Sequence, residues 1–117
     1  SARARAPRTG RVEALRTFGQ ARAEGATRVL ANLQGQLADC LDRAGVDDAL
    51  EISLAIEVDG QPRAVNIEGE EPAATRFREC AEPHLMQARF DVADGLRAGP
   101  REQVTGGVIR FRLRGDR

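Results

Sequence analysis

The sequence predicts one α+β domain in two layers, with the element order α-α-β-β-α-β. A three-stranded antiparallel sheet of order 2-1-3 is expected, covered on one face by two helices. Three observations predict it. Residues 28–44 and 73–88 carry apolar side chains at helical spacing. Residues 50–58, 63–68 and 107–114 alternate apolar and polar side chains, the pattern of half-buried strands. Asp59-Gly60, between the first two alternating runs, is a hairpin signal.

The elements follow in order. Residues 1–10, SARARAPRTG, read as a flexible basic lead. Residues 11–25 read as a weak helix or linker, with Val12, Leu15 and Phe18 on one side and Gly25 as its break. Thr27 is a candidate cap for the helix that follows. That helix, about 28–44, has Val29, Leu30, Leu33, Leu37, Cys40, Leu41 and Ala44 on its apolar stripe. Gly35 inside it marks a place where a neighbouring backbone can come close, and Gly45 is a natural stop.

LEISLAIEV at 50–58 points Leu50, Ile52, Leu54, Ile56 and Val58 to one face. The return strand buries Val65 and Ile67 and opens on Pro62. The helix about 73–88 carries Phe77, Cys80, Ala81, Leu85 and Ala88, with Pro83 expected to kink or restart it. Phe90 and Val92 begin a short extended piece, and 93–103 read as a long loop. The last strand turns Ile109, Phe111 and Leu113 to the core and Arg110, Arg112 and Arg114 outward. Opposite charges stabilise adjacent strands, so the three Arg place this strand beside Glu51 and Glu57 of the first. There it would form a free edge.

A chain of 117 residues, 41% hydrophobic and 31% charged, suits a single globular core. With four Phe, no Tyr and no Trp, that core is aliphatic. The net charge is zero but unevenly spread. Seven Arg against Glu13 and Glu24 give +5 over residues 1–28, which leaves −5 in the remainder. Such an arm can bind anionic lipid or nucleic acid, but without interleaved aromatics or a nucleic-acid fold signature it reads as a solvated linker. No run is apolar and long enough to span a membrane, and the chain begins with Ser, as a processed protein or a fragment would.

Catalytic chemistry is thinly represented. His84 is the only histidine and follows Pro83. Cys40, Cys80 and one His lack the close pairing of zinc ligands, and C-x-x-C redox spacing is absent. Gly106-Gly107 precedes a strand rather than a helix, so it does not cradle phosphate as a P-loop does. Glu70-Glu71 reads as an acidic turn. No cofactor or metal is called for, and an enzyme ranks last. Cys40 and Cys80 each lie on the apolar stripe of their own helix, which fits either a disulfide or two buried thiols.

LANLQGQLADCLDRAG, LEISLAIEVDGQPRAVNI, FRECAEPHLMQARF and VIRFRLR together resemble the AgmX/PglI C-terminal domain family, a TonB-like module of cell-envelope proteins in myxobacteria and their relatives. Cys40, Asp59-Gly60, Cys80, Phe90 and the Ile109/Phe111/Leu113 alternation fall in the order of that family's pattern, over residues 29–114. The resemblance implies a TonB-like domain over 26–117, a Cys40–Cys80 disulfide and a periplasmic or cell-envelope location. It also implies a non-catalytic interaction domain that captures an envelope protein or extended peptide by β-strand addition. The expected capture edge is the last strand, through Val108, Arg110, Arg112 and Arg114, with the loop 93–103 as the next candidate. Nucleic acid is not expected as a partner, and a membrane is expected only through a parent protein's anchor. A purely structural, disulfide-stabilised envelope domain is the alternative.

Overall fold

The computed structural model describes residues 9–92 and 107–116. The elements are β1 (Thr9–Phe18), α1 (Ala23–Asn32), α2 (Gln34–Ala44), β2 (Ala49–Ile56), β3 (Pro62–Glu68), α3 (Ala73–Met86) and β4 (Gly107–Asp116). They form an α+β fold with three helices and a four-stranded antiparallel sheet of order β1-β4-β2-β3. This corrects the expected three-stranded sheet of order 2-1-3 with two helices. Most of the expected lead, 1–8, and the expected loop, 93–103, lie outside the described residues.

The extra strand is β1. It starts at Thr9, inside the expected lead, and covers most of the segment expected as a weak helix or linker. The reason is a β-bulge. Glu13 pairs with Arg112 and Arg16 with Arg110, so Ala14 and Leu15 together oppose Phe111. One extra residue turns the strand's period of two into a step of three. Val12 and Leu15 therefore both pack on the core, and their spacing imitates a helix. Ala14 takes the left-handed conformation, φ 52°, that such a bulge assigns to its first residue.

A non-glycine side chain there costs about 1–2 kcal/mol. Removing it exceeds the usual penalty of about 0.5–1 kcal/mol for glycine in a strand. Ala14→Gly is therefore expected to stabilise the protein by about 0.5–1 kcal/mol in urea unfolding. A loss of stability would show that the left-handed bulge is not adopted in solution.

The expected helix 28–44 is two helices that share one apolar stripe. Leu33, at φ −93° and ψ 0°, ends α1 and opens α2. Its N–H is divided between the carbonyls of Val29 and Leu30 at 3.2 and 3.1 Å, and its own carbonyl accepts from Leu37 at 2.9 Å. Gly25 is buried within α1 rather than breaking the chain. Thr27 is not a cap, since its hydroxyl donates to the Ala23 carbonyl one turn back at 2.9 Å. Gly35 lets no backbone approach; a Cβ there would meet nothing within 4 Å. Gly45, at φ 73°, ends α2, and Val46 N–H reaches back to the Leu41 carbonyl at 3.0 Å.

The β2–β3 hairpin turns at Asp59-Gly60. Gln61 N–H donates to Asp59 Oδ1 at 3.0 Å, and Gly60 has φ 89°. The Gly60 carbonyl accepts from Phe90 N–H at 2.8 Å, which fastens the exit of α3 to the turn. Because β2 stops at Ile56, Val58 leaves the core and is 39% exposed. Helix α3 runs through Pro83 without restarting. The N–H that proline lacks would have met the carbonyl of Glu79, an exposed residue.

One core fills the space between the layers. The sheet supplies Leu50, Ile52, Leu54, Ile109, Phe111 and Leu113, and the helices supply Leu30, Leu37, Leu41, Phe77 and Leu85. Helix α2 packs on β1 and α3, and α3 packs on β3. Cys40 of α2 and Cys80 of α3 form a disulfide with a Cα separation of 5.5 Å. A structural disulfide points to an oxidising compartment. Among the described residues, no helix is long and apolar enough to cross a membrane.

Candidate functional site

Strand β4 is not an edge. It pairs with β1 on one side and β2 on the other. The backbone row expected to capture a partner at Val108, Arg110, Arg112 and Arg114 is therefore taken up by β1. The charge argument that set β4 beside β2 does find its pair, since Arg112 Nε donates to Glu51 Oε2 at 2.6 Å. Arg114 bonds Glu13 at 3.1 Å and Asp48 at 3.2 Å. Glu57 lies beyond the end of β2 and meets Arg63 at 3.9 Å instead. Arg114, first by its hydrogen bond and also by its charge, holds the Glu13 carboxyl below the usual carboxylate range. Val108 lies in the sheet between Phe18 and Ala55, and Arg110 between Arg16 and Ser53.

The sheet ends at β1 and β3, and each has one side unpaired among the described residues. The two edges differ. β1 carries the bulge, which kinks the ladder in mid-strand and discourages pairing with another chain. β3 is disturbed only at its start, by Pro62 and by the register shift next to Ile56. From Ala64 to Glu68 its ladder with β2 is regular.

Helix α3 follows β3 closely and runs beside it. A Glu71 carboxylate oxygen accepts from the backbone N–H and the hydroxyl of Thr75, at 3.1 and 2.7 Å, and so secures the first turn. Glu71, just before α3, and Ala74, Thr75 and Arg78 of α3 succeed one another at helical spacing. With Ile67 of β3 they line an open depression of about 320 Å³. Its two apolar members, Ile67 and Ala74, are buried. Its charged groups are Glu71, engaged with Thr75, and half-buried Arg78, which has no carboxylate partner among the described residues.

A strand laid against the free side of β3 would extend the sheet. Its inward side chains would enter this depression, because side chains alternate across a strand. Sequence reasoning missed the groove because, of the two edges of the expected sheet, it assigned capture to β4 rather than to β3. The signal available was Arg78, one turn beyond the start of the helix that follows the hairpin.

No metal-binding group of three or more His, Cys, Asp or Glu occurs among the described residues, and His84 is half-buried in the last turn of α3. Comparison with protein-family models, with curated proteins and with solved structures found no match, so function is read from the geometry of the edge and groove.

Proposed function

We propose that this is a non-catalytic protein–protein interaction domain of the periplasm or cell envelope that captures an extended peptide by strand addition to β3. The observation that carries the reading is the regular side of Ala64–Glu68, unpaired among the described residues, running beside an open depression that holds Arg78. In strand addition, main-chain hydrogen bonds give affinity and pockets for alternate side chains give selectivity. Here one inward position of the added strand meets Ile67 and Ala74, and another meets the Arg78 guanidinium. The preferred peptide therefore alternates and carries an acidic residue on its inward face. The disulfide supports the oxidising compartment, and the resemblance to TonB-like envelope modules supports the finer location.

Selection of a random heptapeptide display library on the immobilised domain tests this. Enriched peptides should carry Asp or Glu at one alternating position and should slow amide exchange in Ala64–Glu68. Arg78→Ala should weaken them about tenfold, the loss expected for one charge-assisted hydrogen bond. Arg78→Glu should select basic residues instead. Peptides that bind Arg78→Glu as well as the unaltered protein and leave β3 exchange unchanged would refute the proposal.

A further inference from the structure

The solvent face of the sheet carries a second arrangement, separate from the β3 groove. Across β1, β4 and β2 its side chains fall in rows set by register. One row is Glu13, Arg112 and Glu51; the next is Arg16, Arg110 and Ser53. The first row and its neighbours are charge-matched, with Arg112 on Glu51, Arg11 and Arg114 on Glu13, and Arg114 also on Asp48. The second is not. Arg16 and Arg110 stand directly opposite each other in the β1–β4 ladder, and neither has an acidic partner among the described residues.

Two like charges at directly opposed positions destabilise a sheet. The bulge creates the opposition. In an unbulged register Leu15 would face Arg110, and Arg16 would face Ile109 on the core side. The extra residue, Ala14 at φ 52°, returns Arg16 to the solvent face opposite Arg110. Bulges re-aim side chains next to sites, and a non-glycine residue held in a strained conformation is an observation from which function can be inferred. Ala14, Arg16, Arg110 and half-buried Ser53 line an open depression of about 220 Å³. Its acidic members are Glu51, held by Arg112, and Glu68 on β3, at the far side of the sheet.

We propose that Arg16 and Arg110 form a binding site for a phosphate group on the solvent face of the sheet. A doubly charged oxyanion matches two guanidinium forks, each able to donate two parallel hydrogen bonds, whereas a single carboxylate neutralises only one of them. The bound anion removes the repulsion between the two Arg. The Ser53 hydroxyl stands in the same row as a neutral donor.

The test uses inorganic phosphate against sodium chloride at equal ionic strength, with thermal unfolding as the readout. Phosphate should raise the midpoint of the unaltered protein. Arg16→Gln and Arg110→Gln should each weaken phosphate at least tenfold, the range of one charge-assisted bidentate contact. In chloride alone both variants should be as stable as the unaltered protein or more so, because a like-charge contact is gone. Arg63→Gln, at the other end of the sheet, should keep the full response.

Vesicles distinguish the sources of the phosphate. Binding to phosphatidic acid vesicles, lost in Arg110→Gln and absent for zwitterionic vesicles, identifies a lipid headgroup. A response to inorganic phosphate without vesicle binding identifies a soluble phosphate. Equal midpoints in phosphate and chloride, or a phosphate response that survives both Gln substitutions, would overturn the proposal. The β3 groove is untouched by these variants, so failure here leaves peptide capture standing.

Discussion

Replacing Cys40 and Cys80 together by alanine should lower the unfolding free energy by about 4 kcal/mol. The disulfide joins residues 40 positions apart. In the chain-entropy model, opening a loop of this length restores roughly that much freedom to the unfolded chain. Domains of this size are stable by only about 5–15 kcal/mol, so the variant should be marginal at physiological temperature. Urea unfolding gives a second signature. Without the crosslink the unfolded chain expands and exposes more surface, so the dependence of stability on denaturant should steepen as the midpoint falls. The unaltered protein unfolded with a reductant present should reproduce both changes. A loss below about 1 kcal/mol would mean that α2 and α3 are held together by packing alone.

The crosslink also shows why much of the architecture is legible from sequence. Both cysteines sit on apolar stripes, and helices that must bury those stripes on one sheet bring them together. The same logic applies to the alternation in 107–114 and, as far as Ile56, in 50–58. There, core-facing and exposed side chains separate as periodicity requires, with Ile52, Leu54, Ile109 and Phe111 all buried. Asp59-Gly60 is legible because only a few residue pairs tolerate that turn.

What is not legible comes from residues that change a period or add a neighbour. The bulge at Ala14–Leu15 converts a strand's alternation into a helical interval, so β1 is concealed in the sequence. Once β1 is missed, β4 becomes an edge on paper, and capture is assigned to it and its Arg row rather than to β3, an edge in both the expected and the observed sheet. The facing pair Arg16 and Arg110 is hidden by the same step, because their opposition exists only in the bulged register. Leu33 hides the division between α1 and α2 for the opposite reason. The apolar stripe continues across the break, and periodicity alone does not register one residue that stands between two helices.

Phe77→Ala is the other change expected to act strongly, at about 3–5 kcal/mol. Phe77 is fully buried on α3, with Ala74, Ala81 and Leu85 along the same face. Among the described residues it is one of the two largest fully buried side chains, Phe111 being the other. Its neighbours Ala74 and Ala81 are too small to fill the space that truncation leaves. The variant loses both the transfer energy of the ring and the contacts of its lining, since a void has no partner atoms on one side. For a domain of 117 residues this corresponds to a fall of about 12–20 °C in the unfolding midpoint. Phe77→Leu keeps most of the volume and should lose only about 1–1.5 kcal/mol. The two variants separate stability from function. Arg78 and the β3 edge are intact in both, so the leucine variant should capture acidic peptides with unchanged affinity at temperatures where the alanine variant has begun to unfold. A loss under about 1 kcal/mol for Phe77→Ala would show that α3 does not seat this ring in the core, and the groove that α3 walls would lose its support.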